Sequence, residues 1–296
     1  MDILLWERKD PNSMYTVAGF TQESLALVGV KSEIRPIKRP RGIIRPWLLA
    51  RSLNYPDSIA IEPSLAVVSK LSCFHHYDPT DNKAIPSLIE LWDIWRHVAS
   101  KPVICFSWQS FRFLIDMGAT PTLLPPPWHP VPQNPNKDLD WLWIGSTSYR
   151  KGYDLMTKLY KAIGGRGVAV VRDTGQIPYV EWDGVETYKY PIAPAKLQEL
   201  QSRAKVYIQT SRLEGYGMTV SEAYCHGAAL VIPNEGYEYY PGAYLYDNPY
   251  MIPTLARKAI RDYAYRPPSE SLMALHSPIR YGEKLRSILE EKVVGS

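Results

Sequence analysis

The sequence predicts an α/β protein built as two parallel-sheet halves. Three observations predict it. Short apolar runs alternate with segments of helical period along the chain. Residues 123–138, LLPPPWHPVPQNPNKD, form a proline-dense stretch that can continue neither a helix nor a central strand. The chain has 296 residues, a length that suits two domains of roughly 130–160 residues each.

Taken in order, Ile3 to Leu5 reads as the first strand, and a helix from about Met14 to Val28 follows, closed by Gly29. Glu33–Ile37, Ser58–Ile61 and Lys70–Phe74 read as further strands. Pro86 opens a helix to Ala99 whose Leu88, Leu91, Trp92, Trp95 and Val98 share a face. Lys101–Phe106 is then a buried strand and Trp108–Met117 a helix stopped by Gly118. Beyond the proline-dense stretch the alternation restarts. Strand Trp141–Ile144, helix Tyr153–Ile163, strands Val168–Val171 and Val185–Tyr188, helix Ala195–Arg203 and strand Val206–Gln209 follow one another. Helix Met218–His226, strand Ala229–Ile232 and an amphipathic helix from about Tyr281 to Val293 complete the series. The expected domains are therefore 1–132 and 133–275, each Rossmann-like and doubly wound. Residues 276–296 form a C-terminal helix expected to pack back on the first domain.

Composition narrows the function classes. Hydrophobic residues make up 45% and charged residues 22% of the chain, close to the globular norm of about 25% charged. No run approaches the ~20 apolar residues that span a bilayer. The opening MDILLWERKD lacks a signal-peptide layout, so a soluble, cytoplasmic protein is expected. Cys73, Cys105 and Cys225 are scattered among apolar neighbours and suggest buried thiols rather than disulfides. The six histidines form no HExxH-type pair, so no metal site is expected. A net charge of +4 suits a phosphate-bearing ligand and is too small to argue for nucleic acid, which is not expected as a partner.

The most informative segment is VYIQTSRLEGYGMTVSEAYCHGAALVI, residues 206–232. It reads as a buried strand, a loop with Glu214, Gly215 and Gly217, a helix with Glu222, then Gly227 and another strand. In a doubly wound sheet ligands sit outside the carboxyl ends of strands, where this loop lies. The two loop glycines let the backbone approach a ligand closely. The helix opening after Gly217 aims free N–H groups and partial positive charge at the same place, which favours a phosphate. An ionised carboxylate accepts two hydrogen bonds and suits a vicinal diol, so Glu214 and Glu222 match the two diols of a nucleotide sugar. Acids near a helix start also serve as ordinary solvent-facing first turns. Upstream, LWIGSTSYRKGYDLMTKLYKAI, residues 142–163, is a strand, a turn with Arg150, Lys151 and Gly152, and a helix. An ammonium and a guanidinium there can clamp a diphosphate leaving group.

On these residues the chain resembles the donor domain of retaining glycosyltransferases of the GT-B fold, family 4. Glu214 and Glu222 stand at the glutamates of that family's E-x7-E motif, and Gly215, Gly217 and Gly227 at its glycines. The resemblance implies two Rossmann-like domains, an N-terminal one for the acceptor and a C-terminal one for the donor. It implies that Glu214 contacts the transferred sugar, that Glu222 contacts the ribose, and that Met218 and Thr219 offer backbone N–H groups. Lys151 and Gly152 match the family's Lys-Gly. The family's Gly-Arg pair is here Gly145-Ser146, which leaves Arg150 as the candidate substitute. In KLSCFHHYD, residues 70–78, His75 stands at the strand end that delivers a histidine near the sugar, with His76 next to it. One departure lies in the first strand–helix loop, ERKDPNSM, which has Asn12 and Ser13 where the family usually has a Gly-Gly pair.

The implied activity is metal-independent hexosyl transfer, with retention, from a donor such as a UDP- or GDP-hexose, without a cofactor. A nucleotide-sugar epimerase on the same scaffold is an alternative, as is a non-enzymatic module binding sugar phosphates or nucleic acid. Residues 31–51 carry Lys31, Arg35, Lys38, Arg39, Arg41 and Arg45 ahead of Ile43, Ile44, Trp47, Leu48 and Leu49. That composition suits peripheral contact with an anionic membrane, and equally a solvated basic loop leading into a core helix.

Overall fold

Wholly apolar strands cannot face water on either side, so they must be central strands of a sheet covered by helices on both faces. Two such sheets form the computed structural model, which describes residues 1–6, 13–37, 55, 58–61, 69, 72–75, 101–128, 131–212, 214, 216–234 and 240–290. The chain divides into two units, Met1–Pro127 with Ser271–Ser296, and Trp128–Glu270. The division falls inside the proline-dense stretch, a few residues before the expected boundary at 132, and a second crossing precedes the C-terminal helices. Among the described residues no helix is long and apolar enough to cross a membrane.

The first unit runs β1 (Asp2–Trp6), α1 (Ser13–Leu27), β2 (Glu33–Ile37), β3 (Ser58–Ala60), β4 (Ser72–His75), β5 (Val103–Cys105), α2 (Trp108–Asp116) and β6 (Pro121–Leu123). Its strands lie in the order β2-β1-β3-β4-β5-β6, every pair parallel. The side chains of Ile3, Leu4, Leu5, Ile59, Val103 and Ile104 are buried at its centre. Ser107 caps α2 by accepting from the Ser110 amide. The expected linker begins too early: Leu123 is the last residue of β6, an edge strand whose Pro121 costs the ladder nothing on its open side. Of the strand expected at Lys70–Phe74, residues 70 and 71 lie outside the described residues; β4 runs from Ser72 to His75, where His75 pairs with Cys105 of β5. The expected helix Pro86–Ala99 lies outside the described residues. So do His76, the first strand–helix loop from 7 to 12, and residues 38–51 of the basic segment. The described part of that segment is edge strand β2, where Arg35 pairs with Asp2 at 3.3 Å and lies over the Tyr55 ring.

The second unit runs β7 (Leu139–Ser146), α3 (Tyr153–Ile163), β8 (Gly167–Arg172), β9 (Glu186–Lys189), α4 (Pro194–Arg203), β10 (Ala204–Ile208), α5 (Met218–Cys225), β11 (Ala229–Pro233), β12 (Tyr244–Tyr246) and α6 (Ile252–Arg261). Strand order is β12-β11-β10-β7-β8-β9, again all parallel. Alternation along the strands sorts side chains to two faces. Trp141, Trp143, Val206, Ile208 and Val231 join Met156, Leu159 and Ile163 of α3 and Ile252, Ala256 and Ala259 of α6 in one core. Trp182 stacks on Tyr153 and Tyr160 within it, at 5.6 and 5.3 Å between ring centres. Tyr207 points the other way and donates to Thr219 of α5 at 2.8 Å. β6, β12 and α6 have no counterpart in the expected element series.

After α7 (Glu270–Leu275), α8 (Pro278–Glu290) belongs to the first unit and packs on α1. Gly282 permits this, since a Cβ there would sit 2.2 Å from the Ser24 carbonyl oxygen. Tyr281 meets Phe20 edge-on at 5.6 Å.

Candidate functional site

The chain leaves β7 toward β8 on one side of the second sheet and leaves β10 toward β11 on the other. The connections therefore diverge at the carboxyl ends of β7 and β10, which is where a doubly wound sheet opens a crevice. The loop after β7 carries Arg150 and Lys151, and the loop after β10 carries Glu214.

Local chemistry shapes the first loop. Ser146, the last residue of β7, shares a hydrogen bond with Ser148 at 2.9 Å, and the Ser148 hydroxyl accepts from the Lys151 amide. Gly152 then opens α3 in the left-handed conformation, φ 66°. A side chain there is excluded twice, because a Cβ would also lie 2.1 Å from the Thr210 carbonyl oxygen in the neighbouring loop. Thr210 completes this junction. Its hydroxyl accepts from the Trp143 indole and donates to the Lys151 carbonyl, both at 2.8 Å. Gly145 sits over the Trp143 ring, which a Cβ would meet at 2.5 Å, so its surroundings here are those of core packing.

Lys151 and Glu214, both read from the sequence, meet. Lys151 Nζ donates to Glu214 Oε2, Ser211 Oγ donates to the same oxygen at 3.2 Å, and Gln209 Nε2 approaches it at 3.4 Å. Arg150 Nη1 stands 3.8 Å from Glu214 Oε1. The Glu214 side chain is only 11% exposed, so the low-dielectric surroundings strengthen these attractions. Beyond it Gly217, at φ 74°, opens α5. Helix geometry leaves the amides of Met218 and Thr219 outside the intrahelical ladder, at the end where the helix dipole favours negative charge.

Glu222 lies further along α5 and is partly exposed. Its Oε2 accepts from Gln201 Nε2 at 2.9 Å, and burial pushes its carboxyl above the ordinary value. Burial likewise raises the Tyr207 hydroxyl, and the charges of Glu214 and Glu222 both add to that shift.

Of the other sequence candidates, Gly215 lies outside the described residues. His75 ends β4 in the first unit, with only its main chain described. Among the described residues no group of three or more His, Cys, Asp or Glu side chains is arranged to hold a metal ion.

Several partners escaped sequence reasoning. Gln209 and Ser211 had a signal, being polar residues just past a buried strand that ends in a turn. Arg212 forms a two-pronged ion pair with Asp154, both prongs at 2.8 Å. Trp128 donates from its indole to the Tyr216 hydroxyl at 2.9 Å and stacks on Tyr240 with ring centres 6.0 Å apart. These pairings join residues far apart in the chain and leave no local pattern.

No family model matches the sequence, and no curated protein matches it. Solved structures do. HepE of Anabaena, in complex with UDP and glucose, has a TM-score of 0.70 at 12% identity, with 98% of this chain and 99% of that one covered. Sucrose-phosphate synthase from Thermosynechococcus elongatus scores 0.70 at 14% identity, covering 100% and 99%. A trehalose-6-phosphate synthase studied for glycosyl transfer with retention scores 0.62 at 10% identity, covering 98% and 99%. Such likeness establishes the architecture: the chain has the GT-B fold of these glycosyltransferases.

Proposed function

We propose that the chain is a retaining, metal-independent glycosyltransferase of the family 4 type, moving a hexosyl group from a nucleoside-diphosphate sugar to an acceptor. One observation carries the proposal: two cations meet a largely buried acid at the carboxyl ends of β7 and β10, in the loop that leads into the N-terminus of α5. The similar proteins bear on it through what their structures hold or address, UDP and glucose in one and transfer with retention in another.

In this reading Lys151, Arg150 and the amides at the start of α5 bind the diphosphate. They stabilise the charge that grows on it as the anomeric C–O bond breaks. The leaving nucleoside diphosphate takes the electron pair of that bond. The acceptor oxygen bonds to the anomeric carbon on the same face, and a donor phosphate oxygen takes the acceptor's proton. Glu214 binds the sugar hydroxyls and Glu222 the ribose diol. The cations supply the charge that a metal would otherwise bring.

A thermal-shift screen of UDP-, GDP- and ADP-hexoses tests the proposal first, since donor at a hundred times its Kd adds about 2.7 kcal/mol of stability. Product analysis with the responding donor and an acceptor panel, with and without EDTA, then follows. The expected result is an EDTA-resistant product of retained configuration, lost in Glu214→Ala, while Glu222→Ala chiefly weakens donor binding. Wild-type turnover in both variants would sink the site assignment. A converted donor sugar without any acceptor would point to epimerisation, and binding without chemistry to a binding module.

A further inference from the structure

Arg212 stands two residues before Glu214, yet its side chain reaches away from that acid, into the segment that carries the cations. Nη1 and Nη2 donate to Asp154 Oδ1 and Oδ2, each at 2.8 Å. Nη1 also donates to the Tyr149 carbonyl at 2.6 Å, and the guanidinium lies 3.8 Å from the centre of the Tyr149 ring. The main chain adds a further tie, from the Arg212 amide to the Arg150 carbonyl at 2.8 Å. One residue of the loop after β10 is thus fastened to Tyr149, Arg150 and Asp154, the residues that bracket Lys151.

We infer that Arg212 is a positioning residue, whose fork on Asp154 sets the spacing between Lys151 and Glu214 and so the fit of a nucleoside diphosphate. The inference rests on the proposed reading of that site. Its physical basis is the shape of the guanidinium. A planar fork can hold both carboxylate oxygens and stack on a ring at once, which an ammonium cannot. Asp154 sits in the first turn of α3, and its carboxyl is held below its ordinary range by the Arg212 hydrogen bonds. Because the guanidinium is engaged by Asp154 and Tyr149, Arg212 acts through its neighbours and is not itself a phosphate ligand.

The sign of one substitution separates positioning from charge. Asp154→Asn removes a negative charge beside the cations, so simple electrostatics predicts tighter anion binding. Positioning predicts weaker binding. The experiment is calorimetric titration of UDP and of GDP into the full chain, with melting temperatures recorded for every variant. For whichever nucleotide binds the wild type, Arg212→Lys and Asp154→Asn are each expected to lose about tenfold in affinity. The double variant is expected to be no worse than either single one, with all three melting near the wild type. Wild-type or tighter binding by Asp154→Asn, or additive losses in the double variant, would overturn the inference. Lys151→Ala is the control for the site itself: if it binds as the wild type does, the diphosphate reading fails first and takes this role for Arg212 with it.

Discussion

The two ends of the β7–β10 strand pair both carry ion pairs, and they are built for different ends. At the amino ends, Asp138 is held by Arg166 at 2.9 Å and by Arg203 at 2.7 Å, and Asp140 by Lys205 at 2.8 Å. The acids here are more open than Glu214, Asp138 being 45% and Asp140 22% exposed to solvent. At the carboxyl ends, Lys151 and Arg150 converge on a Glu214 that is only 11% open. The helices explain the contrast. In a parallel βαβ unit each helix runs back against its strand, so helix carboxyl ends gather where the strands begin and helix amino ends where they finish. Arg203 accordingly falls in the last turn of α4, where the dipole welcomes a cation. Glu214 lies where the dipoles of α3 and α5 welcome an anion. A cluster of charges does not by itself mark a site; burial and the direction of the helix field do.

The largest effect expected on that contrast comes from Gly152. Gly152→Ala combines a left-handed φ with a clash against the Thr210 carbonyl. It should cost about 2–5 kcal/mol in urea unfolding, far beyond any single charge removed at the other end. A loss under 1 kcal/mol would mean that the two loops are not in contact as described.

Next comes the aromatic support of the Glu214 loop. Trp128→Phe keeps an aromatic ring on Tyr240 but removes the N–H that donates to the Tyr216 hydroxyl, which is fully buried. An expected loss of about 1–3 kcal/mol should shrink in a Tyr216→Phe background. Equal losses in both backgrounds would assign the effect to ring packing instead.

Glu222 sharpens the contrast through pH. Its folded-state pKa is raised by burial, so ionising it opposes folding. Its contribution to stability is full below the ordinary carboxylate value of about 4.3 and falls as pH rises through the folded value. Glu222→Gln should therefore match the wild type in melting temperature at low pH, melt higher at neutral pH, and bind donor more weakly. Asp138, at the other end, has the opposite sign. Its hydrogen bond to Arg203 holds its carboxyl down to about 2. Its contribution is present above about 3.9 and lost as pH falls toward about 2. Because the pair is exposed, Asp138→Asn should cost only about 0.2–1 kcal/mol at neutral pH, checked by chemical denaturation at two salt concentrations. A larger cost would place real structural weight on the amino-end pairs.

What could be read from the sequence follows the range of each interaction. α3 spans Tyr153–Ile163, the limits its sequence suggests, because glycines flank it and Tyr153, Met156, Leu159, Tyr160 and Ile163 form a buried stripe. α6 has the same kind of stripe, but Ala256 and Ala259 supply two of its buried positions and small side chains signal weakly. β6 and β12 are three residues each, too short to show alternation. At the candidate site, Lys151 and Glu214 stand beside glycines just ahead of helix starts, which local pattern reveals, and Glu222 follows Glu214 at a fixed spacing in the next helix. Gln201 with Glu222, Arg212 with Asp154, and Trp128 with Tyr216 depend on which strands and helices become neighbours. Sheet order decides that, and spacing along the chain carries no trace of it.

The claim at the centre is that the carboxyl ends of β7 and β10 hold a sugar diphosphate and the amino ends do not. Titrating the responding nucleotide sugar into Lys151→Ala and Lys205→Ala tests it directly. The account predicts at least a tenfold rise in Kd, about 1.4 kcal/mol, for Lys151→Ala and an unchanged Kd for Lys205→Ala. Equal Kd values for the two variants would contradict it.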